Sequence, residues 1–249
     1  ISLWSTRNAP RIDKPSSVSP TTMLKYVFAN RPFIVLVVVY GVMTMSIAQI
    51  TAGMPFAAKY LISDGGGSPF SGMVQGGLPV LTLLFAPFVI GAMISQPFWA
   101  FVSIRAGKLF AILLGLVAYI GAIYMLMVAL PSTNLTTMFI LMMCAGFTNG
   151  AYQAIPWAMY PDLMDVTREN TGEAIEGAFS AVWLFGQKVA NAIAPAVLGG
   201  IIAAAGWQET TQGTAPQTAE ATAALEWAMT VVPMAIFGVS ILILVLIYR

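Results

Sequence analysis

A lysine stands where an ammonium group is hardest to keep. Lys188 lies ten residues into an apolar run extending from Ala178 to Ala205. At about 1.5 Å of rise per helical residue, that depth is close to the middle of a hydrocarbon layer about 30 Å thick. A charge there costs several kcal/mol and is kept where a partner or a water-filled cavity receives it. At about 100° per residue, Ser180, Gln187, Lys188 and Asn191 fall on one side of the helix, with Trp183 and Leu184 beside them. A cation, two amides, a hydroxyl and an indole can bind a polar or anionic ligand. The plainer alternative is a structural lysine that pairs with a carboxylate and holds helices together. The opposite face carries Ala192, Ala196 and Gly200 at four-residue spacing, which permits close helix contact.

A second polar group lies in the preceding apolar run. Asn149, Tyr152 and Gln153 share a helix face at three- and four-residue spacing. They suit hydrogen bonding to a polar substrate, or equally to a neighbouring helix. Gln49 and Gln96 are isolated amides, expected to join helices. The fifteen methionines suit adaptable packing and are assigned no site.

A third group is charged. After Tyr160-Pro161 come Asp162, Asp165, Arg168, Glu169, Glu173 and Glu176, read as a loop. Asn170 with Glu173 three residues on has the form of a helix N-cap. With Arg105 and Lys108 in another loop, Asp162, Asp165, Arg168 and Glu173 suit a salt-bridge latch that breaks and re-forms. A divalent-cation site and a solvated surface are the alternatives. None of this is a catalytic arrangement. The sequence has no histidine, and its one cysteine, Cys144, lies in an apolar run. The commonest general base and zinc ligand is therefore missing, and no nucleophile constellation stands out. No enzyme activity, resident cofactor or metal site is expected.

The elements that must position these residues are membrane helices. The sequence is 58% hydrophobic and 8% charged, against about 25% charged in an ordinary soluble domain. A net charge of +1 gives no basic face for nucleic acid. Six apolar runs are long enough to span a bilayer: 33–60, 78–102, 109–130, 136–156, 178–205 and 223–248. They do not alternate polar and apolar residues, so helices rather than barrel strands are expected. The fold class is all-α, with a linker or tail over 1–32 and a six-helix transmembrane bundle over 33–249. The loop after the first run holds a flexible turn at Asp64-Gly65-Gly66-Gly67-Ser68-Pro69. Arg7, Arg11, Lys14, Lys25 and Arg31 precede the first run, and Arg105, Lys108, Arg168 and Arg249 recur on the same side after even numbers of crossings. Both termini are therefore expected in the cytoplasm. A chain that begins at Ile1 rather than Met is expected to be a piece of a longer protein or a processed product.

Four stretches resemble the C-terminal half of the glycoside–pentoside–hexuronide:cation symporter family, the melibiose-permease-like group of the major facilitator superfamily. Tyr26-Val27-Phe28-Ala29-Asn30-Arg31-Pro32-Phe33 is similar to the lead-in to that family's seventh helix. Arg105-x-Gly107-Lys108 resembles the superfamily's basic loop between helices eight and nine. Pro161-Asp162-x-x-Asp165 resembles the exit from helix ten, and Glu176-Gly177-x-x-Ser180 with Lys188 resembles helix eleven. The resemblance spans almost the whole chain.

That likeness implies one half of a twelve-helix secondary transporter with a substrate cavity between two six-helix bundles. Lys188 would line the cavity. The coupling cation, Na+ or H+, would be bound mainly by carboxylates of an N-terminal half. The expected activity is cation-coupled symport of a sugar, glycoside or hexuronide in the bacterial inner membrane. The expected partners are a small-molecule substrate, the lipid bilayer and that N-terminal half. Trp183-Leu184-Phe185, just before the lysine, is aromatic and apolar, and suits a lipid chain as well as a sugar ring. The family's lysophospholipid-transporting relatives are similar in setting a lysine beside an anionic headgroup. A lysolipid or amphiphile carrier is therefore the alternative within transport. A non-transporting membrane scaffold is the alternative outside it.

Overall fold

The computed structural model describes residues 18–132, 134–173, 175–210 and 215–248. The described residues are helical, with no strand among them. Helix α1 spans Pro20–Ala29, α2 Arg31–Tyr60, α3 Ser71–Gln75, α4 Val80–Ala106 and α5 Lys108–Ala129. Helix α6 spans Leu135–Thr171, α7 Glu176–Ala204, α8 Ala219–Met229 and α9 Val231–Leu246. Six spans are long and apolar enough to cross a membrane: α2, α4, α5, α6, α7, and α8 with α9 together. The last is broken at Thr230, whose φ and ψ of −122° and −68° lie outside the helical region. Arg7, Arg11, Lys14 and Arg249 lie outside the described residues.

Caps explain where several helices start. The side chains of Asn30, Asn134 and Thr218 accept the N–H of Phe33, Thr137 and Ala221 at the heads of α2, α6 and α8. Within the stretch read as a tail, Pro20–Ala29 is itself a helix, capped by Ser19 and packed on α7 and α2. The Gly-rich turn is shaped by Asp64, whose Oδ1 accepts from Gly66 N–H at 3.1 Å and Ser71 Oγ at 2.9 Å.

The largest departure concerns α6. It does not end near Pro156 but runs on to Thr171, through Pro156 and Pro161. The acidic segment read as a loop is thus its last turns. Each interior proline removes one N–H from the ladder without stopping the chain here. Termination waits for Gly172, whose φ of 70° supplies the left-handed residue that ends a helix. Asn170 consequently sits inside α6 and caps nothing. Helix α7 begins after Ile175, with no side-chain cap bond.

The tightest seam joins α4 and α6. A Cβ on Gly91 would meet the Met143 carbonyl, and one on Gly146 would meet that of Phe88. Trp99 Nε1 donates to the Phe147 carbonyl across the same seam at 2.8 Å. The predicted small-residue contact on α7 is not used this way. Ala192, Ala196 and Gly200 are exposed, and α7 instead buries Phe179, Trp183, Ala190, Ala194, Leu198 and Ile202. Its main neighbour is α2. The buried stripe includes Ala190 and Ala194, so the small residues that α7 packs are not the predicted three.

Candidate functional site

A cleft of about 370 Å³ opens where α2, α6 and α7 meet. Its polar lining is Thr44 and Thr51 from α2, Tyr152 from α6, and Gln187 and Asn191 from α7. The volume lies within the range of small-molecule sites, about 300–1,000 Å³.

Its wall is held by an aromatic stack. Tyr40 lies between Trp183, at 4.3 Å and 12° between planes, and Tyr152, at 5.3 Å and 15°. The Tyr40 hydroxyl accepts from Trp157 Nε1 at 3.1 Å and from Gln187 Nε2 at 3.3 Å. Thr44 Oγ1 donates to the Tyr40 carbonyl at 2.7 Å and lies 2.7 Å from the Tyr152 hydroxyl. A threonine has one proton to give, so Tyr152 is the donor in the second bond. Gln187 is thus oriented by a buried tyrosine, and its Oε1 is left without a partner among the described residues. Asn191 Nδ2 donates to the Gln187 carbonyl at 3.0 Å.

The predicted α7 residues separate into two sets. Gln187 and Asn191 line the cleft. Lys188 is exposed beside them and has no carboxylate within ion-pair distance among the described residues. Among the described residues, Lys188 therefore lacks the carboxylate partner that a structural pair would need. Leu184 and Phe185, one turn earlier, are also exposed. Ser180 does not face the cleft lining, since its Oγ meets the Tyr160 hydroxyl at 2.7 Å. Trp183 is buried behind the wall with its Nε1 unpaired.

The α6 trio separates too. Tyr152 reaches the cleft, Gln153 is exposed, and Asn149 is buried with neither amide atom bonded. Asn149 sits between Gly146 and Gly150, at the close α4 crossing, and Gln153 lies a turn beyond it. Of the lone amides, Gln49 does join helices, donating to the Ala228 carbonyl at 2.7 Å. Gln96, among the described residues, bonds within its own helix, to the Ala92 carbonyl. Sequence reasoning missed Tyr40, Thr44 and Thr51. Their signal was a tyrosine with threonines four and eleven residues on, a helical face inside the first apolar run.

At the other end of the bundle two ion pairs stand among the described charged residues, on different helix junctions. Lys108 Nζ meets Asp162 Oδ2 at 2.5 Å and donates to the Ala158 carbonyl at 2.8 Å, tying the α4–α5 turn to α6. Arg168 meets Glu176 at 3.2 Å across the α6–α7 turn. Arg105 lies over its own helix's Phe101 ring at 5.0 Å, not on a carboxylate. Asp165 is exposed, and Glu173 sits in the turn, its N–H on Thr171 Oγ1 at 3.4 Å. Among the described residues no three such groups are placed to hold a metal. Burial, and then the Asp162 charge, hold the Tyr248 phenol above its ordinary value. Asn30 adds an unpredicted tie. Its Nδ2 donates to the Leu163 carbonyl at 2.9 Å and to Thr167 Oγ1 at 2.8 Å while its Oδ1 caps α2.

A six-span helical bundle with a polar cleft between helices is the half-bundle of a major-facilitator-type transporter. The family described as MFS/sugar transport protein matches residues 1–249, and the chain belongs to it. It is 26% identical over 203 residues, 80% of its length, to an uncharacterized symporter of Synechocystis. It is 24% identical over 157 residues, 62% of its length, to sodium-dependent lysophosphatidylcholine symporter 1-A of Danio rerio. It is 23% identical over 172 residues, 68% of its length, to sodium-dependent lysophosphatidylcholine symporter 1 of Xenopus tropicalis. The matches cover 34%, 29% and 30% of those proteins, so the chain spans about a third of the length of these relatives.

Proposed function

We propose that this chain forms the C-terminal half of a cation-coupled symporter for a sugar, glycoside or hexuronide of the melibiose-permease-like group. The observation that carries the reading is the cleft itself. Hydroxyls of Thr44, Thr51 and Tyr152 and amides of Gln187 and Asn191 surround a ligand-sized space at mid-span. Lys188 stands beside it with no carboxylate in ion-pair distance among the described residues. Such a lysine pairs naturally with a carboxylate or phosphate on the substrate, or with carboxylates of an N-terminal six-helix half facing it. That half would also hold most of the Na+ or H+ site. The basic residues at the α1, α4–α5 and α6–α7 ends favour a cytoplasmic location for both termini in a bacterial inner membrane. Lys108–Asp162 and Arg168–Glu176 would then form part of the cytoplasmic gate.

The test is substrate-driven cation flux in proteoliposomes holding the longer parent protein. A sugar or uronide should drive cation uptake, and Lys188→Ala should abolish it without loss of folding. Flux that survives in the variant removes Lys188 from the site.

One observation favours a second reading, an amphiphile carrier. Leu184 and Phe185, 45% and 70% exposed, offer an apolar surface one turn from the lysine. Two of the similar proteins are named as lysophosphatidylcholine symporters. Inhibition of flux by a lysolipid, with sugars inert, would select it.

A further inference from the structure

The seam between α2 and α7 does not close beyond the central cleft. A second cleft of about 520 Å³ opens at its far end, remote from α1 and lined by Pro55, Phe56, Lys59, Trp207, Gln208 and Glu209 among others. On both walls the two clefts are one helical turn apart. On α2 the lining passes from Thr51 to Pro55, and on α7 from Pro195 to Gly199. Pro55 and Pro195 thus mark the junction from opposite sides. Neither has an N–H, so the carbonyls four residues back, of Thr51 and Asn191, lose their helical donors. Thr51 and Asn191 both line the central cleft. Carbonyls freed at membrane depth are tolerated where a cavity or a partner satisfies them. The junction therefore offers backbone acceptors from two walls.

The outer cleft has a different surface. Trp207 is half-buried, with the rings of Phe56 at 5.6 Å and Tyr60 at 4.9 Å meeting it edge to face. Its floor is fixed by Gln217, which bonds the backbone N–H and carbonyl of Gln208 at 2.9 and 2.8 Å. The Gln208 side chain and the Glu209 carboxylate are exposed at the rim. Beside the Lys59 ammonium, an aromatic wall, an amide, a carboxylate and freed carbonyls form a path in which acceptors predominate. Its complement is a molecule with many hydroxyl donors and an apolar ring face.

We propose that the outer end of the α2–α7 seam is a second subsite for a polyhydroxylated ring, with Trp207 as its stacking wall and Gln208 and Glu209 as hydroxyl acceptors. It continues into the central cleft past Pro55 and Pro195. This rests on the sugar-symporter reading and adds where the substrate first binds.

The experiment uses the longer parent protein in proteoliposomes, with Cys144→Ala as background and Ala203→Cys as reporter. Ala203 lines the same cleft, is exposed, and offers no hydrogen-bonding side chain of its own. A membrane-impermeant maleimide should label the Ala203→Cys variant, and a sugar that the same preparation transports should slow labelling several-fold. Glu209→Gln, at an exposed site, should raise KM about tenfold, the loss of one charge-assisted bond, with kcat held. Trp207→Phe should keep more affinity than Trp207→Ala. If sugar is transported while labelling and KM stay unchanged, the outer subsite is overturned and the symporter reading stands. If no sugar is transported, that reading has failed and the subsite falls with it.

Discussion

Between α4 and α6, glycine brings two backbones into contact, and a Cβ on Gly91, Gly146 or Gly150 would strike the facing helix. Along the outward side of α7, Gly199 and Gly200 have nothing within 4 Å. The same residue type serves closure in a helix seam and leaves space on an unpacked helix face. What differs is the facing chain. Helix α4 presents backbone and the small Ser95 to α6, with the Trp99 indole bonded across, so the helices meet directly. Helix α2 meets α7 closely at Gly41 and Gly186, but Thr44 and Thr51 line a cleft with α6 and α7 that leaves polar groups in a gap. A rigid seam beside an open one is what a transporter half needs. One part must move as a body, and the other must receive a ligand.

The sharpest way to break this contrast is to put a side chain into the α4–α6 seam and another onto the outward face of α7. Gly146→Val sets a branched chain against the Phe88 carbonyl, which belongs to a helix backbone and cannot swing away. The expected cost is about 3 kcal/mol or more, seen as loss of the folded peak or a large fall in melting temperature in detergent. Gly200→Ala meets open space and should change stability by less than about 0.5 kcal/mol. Equal effects on melting would remove the distinction between the closed seam and the open face.

Lys188→Ala tests the open side directly. The side chain is exposed and has no partner among the described residues, so melting should be unchanged while coupled flux falls by at least about tenfold, the ~1.4 kcal/mol or more that one lost ionic contact represents. A fall in melting temperature with flux retained would make the lysine an interface element instead.

Tyr40→Phe should have a smaller and mixed effect. The ring still stacks between Trp183 and Tyr152, so packing survives. The hydroxyl that receives Trp157 Nε1 and Gln187 Nε2 is lost. Stability should fall by about 1 kcal/mol. Because Gln187 then rotates freely at the cleft wall, KM should rise several-fold, while a site elsewhere predicts no change in KM.

These effects also show what a sequence can and cannot disclose. Length and apolarity alone locate the spans, because lipid leaves the backbone few solutions. Lys188 is conspicuous for the same reason: its surroundings in sequence are apolar whatever it packs against. The wall of the cleft is less visible. Gln187 meets Tyr40 across 147 positions of sequence, and nothing local in the first run announces that pairing. Periodicity grouped Asn149 with Tyr152 and Gln153, yet Asn149 is buried while Gln153 is exposed. The last turns of α6 were hidden for a different reason. Prolines and charges lower the local helix signal, yet Lys108 and Asn30 bond that segment and Gly172 alone ends it.

Those ties supply the smallest expected effect and the finest comparison. The Lys108–Asp162 pair is short, but its side chains are 37% and 61% exposed. Water and salt screen such a pair, so Lys108→Met should cost no more than about 1 kcal/mol and less at high ionic strength. Lys108 also holds the Ala158 carbonyl, a contact to a neutral group that salt screens less. Asp162→Asn removes only the charge pairing. If Lys108→Met lowers melting more than Asp162→Asn, and the excess persists in high salt, the carbonyl contact is what fastens α6 to the α4–α5 turn. If the two variants match and both effects vanish with salt, the fastening is electrostatic, the form a gate that opens and closes requires.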